Sequence, residues 1–337
     1  MITLVYETRF GLARGTVCVN GCPHFYREGL EFDPALARWG VRSVARLTSK
    51  SAGMAFVQLA DGSEAVLDAP VDVMSRLNEG AALRVEIIAE ARDHKRARAK
   101  FLDSADGEPR RLGPPPSIAD TLRALSRQYL GAETLLQSES EGLLDQAEAD
   151  ALNPSYPLSG GGFLSIERTR GLIACDVDSA GGEGVLTPKA FAKACNDRAV
   201  DELVRRLRLS GLAGLVVVDL IGRKHDSDRL RARLLDAFGA EKEGVIVGPI
   251  GKFGTLEFVR PWSTKPLMDE VGSPLRQAHL LLREAVRRAD GEPGRLLTLK
   301  APPTTLECLR PLLKNSYDPL AAIIRLEKAA RPEVISL

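Results

Sequence analysis

Residues 172–179 read LIACDVDS and residues 214–219 read GLVVVD, and these two stretches decide the fold. Both are short apolar runs, which is typical of buried strands. Both also end on acids: the first reaches Asp176 and Asp178, and the second ends at Asp219. An amphipathic helix pattern lies between them. The sequence therefore predicts a strand–helix–strand unit in which each strand closes on a carboxylate.

The two strand ends are expected to lie side by side. Strands joined through a helix in one sheet run parallel, with a right-handed crossover. Their carboxyl ends then meet at one edge, where open α/β sheets bind ligands. Neighbouring strands are ~4.8 Å apart, so Asp176 and Asp219 can share an ion, with Asp178 on the same face. Oxygen ligands without histidine or cysteine favour Mg²⁺ or Mn²⁺ over Zn²⁺, and such a site is typical of enzymes acting on phosphate esters.

Asn196 adds a polar group behind this edge. The helix is predicted to begin after Thr187, with Pro188 in its first turn, and to run to about residue 209. Its periodicity puts Asn196 in the stripe that faces the sheet, where a buried amide needs a partner. Strand-end aspartates also often cap the next turn. From the residues alone, a metal site and simple capping both remain open.

Composition excludes several classes of protein. The chain has 337 residues, of which 44% are hydrophobic and 27% charged, as in ordinary globular proteins with two or three domains. The net charge of +1 gives no global attraction to nucleic acid, so any RNA affinity must come from local patches. Five cysteines give no disulfide framework, which favours a reducing cytoplasm. With no signal peptide and no apolar run of membrane-spanning length, no membrane partner is expected.

The pattern along the chain predicts an α+β multidomain fold. Short strands joined by Gly turns favour a small β-barrel, and a Pro-rich linker and a helical region over 117–151 follow it. The predicted units are an N-terminal β-meander (1–34) packing with 117–157, a barrel (35–102), a linker and reduced helical segment (103–157), a metal-dependent catalytic domain (158–268) and a small C-terminal α/β domain (269–337).

At the two aspartates the chain resembles the ribonuclease E/G family. The family's D-I-N-S block is similar to residues 176–179. Its N-x-x-A-x-x-E helix and the following R-L-R-x-x-x-x-G-G-L-I-V-I-D run are similar to the stretch from Asn196 to Asp219, which fits without a gap. Its R-F-G-L-L-E-M-x-R is similar to residues 252–260, KFGTLEFVR. Together these motifs cover about a third of the chain.

The resemblance implies an endoribonuclease that depends on Mg²⁺, or on Mn²⁺. It would cleave single-stranded RNA through a metal-activated water, leaving 5′-phosphate and 3′-hydroxyl ends, in RNA processing or decay. The residues that match the family's catalytic positions are Asp176, Asp178, Asn196 and Asp219. The three aspartates would hold the metal, in a DNase I-like α/β domain.

The resemblance also implies an RNA-binding surface. Residues 35–102 look like the family's S1-type OB-fold, with Phe56 in its A-F-V strand and Lys95 at a basic position. Phe56 is either a platform on which bases stack or plain barrel core; both readings remain open. Lys252 and Arg260 are candidate phosphate contacts.

The chain also departs from the family, as a short form. The segment between barrel and catalytic block is much shorter, so the subdomain that senses an RNA 5′ end is expected to be missing. The zinc link is absent near 262–275, so a zinc-linked dimer is not expected and the oligomeric state stays open. The arginines after the metal block are replaced by GGEG at 181–184. Two alternatives follow: a non-catalytic RNA-binding module, and a hydrolase of small phosphate esters.

Overall fold

The computed structural model describes residues 1–51, 53–92, 95–137, 142–179 and 187–336. The first three strands form the predicted meander: β1 (Ile2–Arg9), β2 (Leu12–Val19) and β3 (Cys22–Leu30). Between β2 and β3, Asn20 and Gly21 both have positive φ, 50° and 83°. Tight two-residue hairpins require this conformation, which is why the Asn-Gly pair marks the turn.

The next strands close into a barrel. They are β4 (Arg42–Ser51), β5 (Met54–Gln58), β6 (Glu64–Asp68), β7 (Ala82–Ala89), β8 (Ala97–Ser104) and the short β9 (Arg110–Arg111), with helix α1 (Val71–Arg76) after β6. The pairing order β5-β6-β8-β7-β4 is closed by β4 against β5, and β6–β8 is a parallel pair. A closed five-stranded barrel of this kind is consistent with an OB-fold. Strand β9 pairs with β4, so barrel pairing extends past the predicted limit at residue 102.

The region predicted as helical over 117–151 is broken. It contains α2 (Ile118–Leu125), a π-helical turn over 126–130, strand β10 (Leu135–Gln137) and α3 (Leu143–Leu152). The first helical stretch ends at Gly131, whose φ of 65° is left-handed. Such a residue terminates a helix. Strand β10 then pairs in parallel with β1, and α2 packs on the meander through Leu122 and Leu125.

A six-stranded mixed sheet carries the predicted catalytic region. Its elements are β11 (Ser155–Pro157), β12 (Phe163–Arg168), β13 (Ile173–Asp178), α4 (Pro188–Ser210), β14 (Gly214–Asp219), α5 (Ser227–Phe238), β15 (Ile246–Val247) and β16 (Thr255–Arg260). The strand order is β11-β12-β13-β14-β16-β15, and β13–β14 is the parallel pair of this sheet. The sheet is therefore more antiparallel than the predicted open α/β sheet.

Helix α4 begins and ends as its sequence predicts. The Thr187 hydroxyl accepts the backbone N–H of Ala190, Pro188 occupies the first turn, and Gly211 ends the helix with φ 72°. Helices α4 and α5 cover one face of the sheet, and their apolar side chains share one core with inward residues of β12, β13, β14 and β16. The other face carries the exposed residues of the same strands.

The C-terminal part consists of helices packed on a small sheet. It contains α6 (Pro274–Gly291), β17 (Leu297–Ala301), α7 (Pro303–Lys314), β18 (Ile324–Lys328) and β19 (Glu333–Ser336). Its sheet has the order β18-β17-β19, and its core includes Phe10 and Leu12 of the N-terminal meander. Among the described residues, no helix has both the length and the apolar character needed to cross a membrane.

Candidate active site

The two strand-end aspartates are direct neighbours. In the parallel pair β13–β14, Asp176 lies in register with Asp219. Backbones of paired strands are ~4.8 Å apart. Asp178 follows two residues after Asp176, and all three side chains are exposed. Because the alternating residues Cys175 and Val218 are buried in the helix-covered core, the carboxylates occupy the open face of the sheet.

The acids repel one another. The pKa of Asp176 is raised above its ordinary value, first by partial burial and then by the negative charges of Asp219 and Asp178. Within the described residues, no lysine, arginine or histidine forms a salt bridge with Asp176 or Asp219. Among the described residues, no cationic side chain therefore neutralises this pair of carboxylates.

The donor set fits a hard divalent ion held by few protein ligands. The described residues contain no group of three acidic, histidine or cysteine side chains arranged to hold a metal. Mg²⁺, however, usually keeps several waters and binds through one or two carboxylates plus phosphate oxygens of the substrate. Asp176 and Asp219 meet that requirement. Asp178 lies close enough for its negative charge to raise the pKa of Asp176, and its predicted part in holding the metal stays a prediction.

Asn196 lies behind the strand end, on the helix-covered side. Its side chain is 2% exposed, and its amide makes two hydrogen bonds to one residue. The side-chain N–H₂ donates to the Ile221 carbonyl at 3.1 Å, and the Ile221 N–H donates to the side-chain oxygen at 3.0 Å. The partner that a buried amide needs is therefore the backbone of Ile221. Asn196 thus fixes the chain two residues after Asp219. The side chain lies behind the acids, as its helical position predicts, and its catalytic role stays a prediction.

Arg260 is buried, so the predicted phosphate contact is wrong. The side chain is 2% exposed and pairs with the carboxylate of Glu241 at 2.5 Å. The same guanidinium donates to the carbonyls of Leu207 and Leu212 at 3.1 and 2.5 Å. Glu241 also binds Arg208 at 2.9 Å. Arg260 therefore ties β16 to the end of α4 and cannot reach a ligand in solvent.

The barrel places Phe56 on its outer surface. The neighbours Ala55 and Val57 belong to the barrel core, whereas Phe56 is partly exposed. The guanidinium of Arg96 lies 5.3 Å from the centroid of its ring. The barrel-core reading of Phe56 is therefore wrong. Lys95, one residue before Arg96, is exposed and forms no ion pair with a described residue.

Strand β16 and the turn before it bring in residues that the sequence did not single out. Thr255 is the register partner of Asp219, and its hydroxyl donates to the Glu257 carboxylate at 3.0 Å. Glu257 is exposed on the open face. Strand alternation after Thr255 predicts this placement, because every second residue shares a face.

Lys252 lies in the turn before Thr255, where it is exposed. Its ammonium group is 5.1 Å from the ring centroid of Phe253, whose side chain is 75% exposed. Lys252 is three residues before Thr255, the register partner of Asp219. Residues 181–184, where the family has arginines, lie outside the described residues.

Comparison with known proteins finds relatives for this region of the chain. Residues 132–263 match the family model described as the Ribonuclease E/G family. The chain is 30% identical to Ribonuclease E of a Nostoc species over 119 residues, 35% of this chain and 17% of that protein. It is 34% identical to Ribonuclease E of Escherichia coli over 108 residues, 31% of this chain and 10% of that protein. It is 28% identical to an Arabidopsis thaliana protein named Ribonuclease E/G-like protein, chloroplastic, over 37% of this chain and 12% of that protein. The chain therefore covers less than a fifth of each of these relatives.

Proposed function

We propose, from the premise that residues 132–263 belong to the ribonuclease E/G family, that the protein is a Mg²⁺-dependent endoribonuclease. It would cleave single-stranded RNA and leave 5′-phosphate and 3′-hydroxyl ends. One observation carries the proposal: the carboxylates of Asp176 and Asp219 are register neighbours on the open face of the sheet. The catalytic domain would be DNase I-like.

Each residue of the site would have a distinct part in the reaction. Asp176 and Asp219 would hold the ion, Asp178 would orient its waters, and Asn196 would keep the segment after Asp219 in place. Lys252 would bind a phosphate of the substrate. Mg²⁺, when bound, neutralises phosphate charge and lowers the pKa of water. Mn²⁺ meets the same oxygen ligands and would replace it.

The barrel would hold the substrate as an S1-type OB-fold. Single-stranded nucleic acid binds such barrels through stacking on aromatic side chains and through a cationic path for the backbone. Phe56, partly exposed beneath Arg96, offers the platform, and Lys95 offers a cation that is not ion-paired to a described residue. The second aromatic position is Val66, which pairs with Phe56 across the strands. Of these two paired positions, only Phe56 therefore offers an aromatic ring.

A non-catalytic RNA-binding module is the second candidate. It is favoured by the absence, in the described part of the chain, of a three-ligand metal group. Both candidates would act on RNA in a reducing cytoplasm, in keeping with five cysteines that are all free thiols. Neither requires the zinc-linked dimer or the 5′-end sensor.

The test is incubation of the purified chain with a fluorescent single-stranded RNA, with and without Mg²⁺. We expect cleavage only with Mg²⁺, and loss of cleavage with retained binding in Asp176→Asn and Asp219→Asn. Asp290→Asn, an exposed aspartate on α6, is the matched control and should cleave like wild type. Cleavage by Asp219→Asn at the wild-type rate would contradict the proposal. Binding without cleavage by wild type would establish the binding module, and hydrolysis of a mononucleotide ester alone would establish the small-ester hydrolase.

A further inference from the structure

Two loops beside Asp219 touch each other and form one rim. One follows β14 over residues 220–226, and the other is the turn 251–254 before β16. Gly254 makes the contact: its φ is +92°, and a Cβ there would lie 2.7 Å from the carbonyl oxygen of Gly222. The Nε2 of His225 is hydrogen-bonded to that same oxygen at 2.9 Å. We call residues 222–225 and 251–254 the Asp219 rim.

The rim carries exposed cations that no other described residue neutralises. Arg223, Lys224 and Lys252 are exposed, and none forms a salt bridge with another described residue. Many other arginines here are paired, including Arg229 and Arg233 on the adjacent helix α5. Cations that have no ion-pair partner among the described residues, on loops that flank Asp219, favour a ligand with its own negative charge.

Phe253 gives the rim an aromatic surface. Its ring is 75% exposed, and the Lys252 ammonium lies 5.1 Å from its centroid. The residue is two positions before Thr255, which pairs with Asp219. An exposed phenylalanine between cations, next to acids, has the chemistry that single-stranded nucleic acid uses: a ring for the base and positive charge for the phosphates.

We infer that the Asp219 rim is a nucleotide-binding subsite adjacent to the scissile phosphate, where Phe253 stacks a base and Arg223 and Lys224 bind phosphates. The inference rests on the proposed function, and it adds the residues that fix the RNA over the acid pair. The acids alone repel a polyanion. The Asp219 rim supplies positive charge from the loops beside Asp219. The RNA strand would be held by the rim while the two carboxylates hold the metal ion.

The test uses the full chain with two rim variants and two matched controls. The rim variants are Phe253→Leu and the double variant Arg223→Gln/Lys224→Gln. Their controls are Phe32→Leu, a phenylalanine that is 56% exposed elsewhere, and Arg310→Gln/Lys314→Gln on α7. Binding is measured with EDTA present, so that nothing is cut, using RNA with single 2-aminopurines along its length. Cleavage is measured with Mg²⁺, and thermal melting verifies folding.

Each rim variant has its own signature. Phe253→Leu should lower kcat/KM by roughly 5- to 150-fold, the loss that base–aromatic stacking gives, and abolish 2-aminopurine quenching at one position. In the arginine–lysine variant, the log of the RNA association constant should fall less steeply with log salt concentration. The magnitude of the slope should decrease by about 0.7 for each phosphate that the protein no longer binds, or about 1.4 in total. The control variants should match wild type in every measurement.

The outcomes separate the subsite from the proposed function. If wild type cleaves RNA but both rim variants keep wild-type kcat/KM, quenching and salt slope, the subsite is refuted and the nuclease stands. If wild type binds RNA through the rim but does not cut it, the subsite stands and the nuclease fails. Failure of wild type to bind RNA refutes both. Binding of an acidic peptide that weakens in the same variants, with no effect on RNA, would also refute the nucleotide subsite.

Discussion

Replacement of Asn196 by alanine should loosen the segment after Asp219 and weaken metal binding together. The substitution removes the two hydrogen bonds to Ile221, at 3.1 and 3.0 Å, from a site where Asn196 is 2% exposed. Each unsatisfied buried group costs roughly 1–3 kcal/mol, and two are left here. Because Ile221 is only partly buried, we expect the lower part of that range, a loss of about 2–4 kcal/mol in stability. That is a large part of the ~5–15 kcal/mol by which a typical domain is stable.

Hydrogen exchange measures the local effect. The Ile221 amide loses its acceptor, so its exchange should accelerate by roughly 30- to 1,000-fold, the factor that about 2–4 kcal/mol represents. The Mg²⁺ concentration for half-maximal cleavage should rise by about 10- to 100-fold, as when a residue supporting a metal ligand is removed. Saturating Mg²⁺ should recover much of the rate, which a merely unfolded variant would not.

The matched control is Asn153→Ala. Asn153 accepts one exposed backbone hydrogen bond, from Ser155 at 3.1 Å, and lies between α3 and β11, outside the two strands that carry the acids. Its replacement should leave both the exchange of Ile221 and the Mg²⁺ requirement unchanged. If Asn196→Ala shows the wild-type Mg²⁺ midpoint and wild-type exchange at Ile221, the positioning role is refuted.

Three further results are expected. Glu241→Gln should cost about 3–5 kcal/mol in chemical denaturation, because the buried guanidinium of Arg260 loses its counter-charge; a cost below ~1 kcal/mol would refute that account. The pKa of Asp176 is raised in the folded chain above its ordinary value of ~3.9. The folded state is therefore at its most stable, with respect to this group, below pH ~3.9, and it loses stability as the pH rises through the folded pKa and Asp176 ionises. Without metal, Asp219→Asn should therefore have a higher melting temperature than wild type at pH 7, and the difference should shrink toward pH 4. The same difference in melting temperature at both pH values would contradict repulsion between Asp176 and Asp219. Phe56→Leu should weaken RNA binding by roughly 5- to 150-fold in fluorescence anisotropy, and unchanged affinity would exclude stacking on the barrel.

Local patterns are sufficient to predict the acid pair. The apolar runs, the Thr187–Pro188 helix start and the crossover rule place Asp176 beside Asp219, and the structure has them in register. The same rules do not predict strand order, because β14 pairs on its other side with β16, which is antiparallel and distant in sequence. The sheet is consequently mixed. The helix break at Gly131 has a local signal in the glycine itself, whereas the pairing of β10 with β1 is a tertiary contact that local patterns do not predict.

Arg260 and Phe253 show where residue type misleads. A family-like arginine at the end of a motif suggests a phosphate contact, although alternation from Leu256 and Phe258 places Arg260 on the buried face of β16. Its partner Glu241 comes from another element and could not be inferred from spacing. Phe253 lies in a turn with no periodicity, so only the structure shows that it is exposed.

Direct metal binding tests the central claim, that Asp176 and Asp219 hold one divalent ion. Mn²⁺ serves as the probe, and electron paramagnetic resonance counts the ions bound per chain. The account predicts one bound Mn²⁺ that Mg²⁺ displaces, loss of that ion in Asp176→Asn and Asp219→Asn, and retention in the Asp290→Asn control. The same number of bound ions, with the same affinity, in wild type and in both site variants would contradict it.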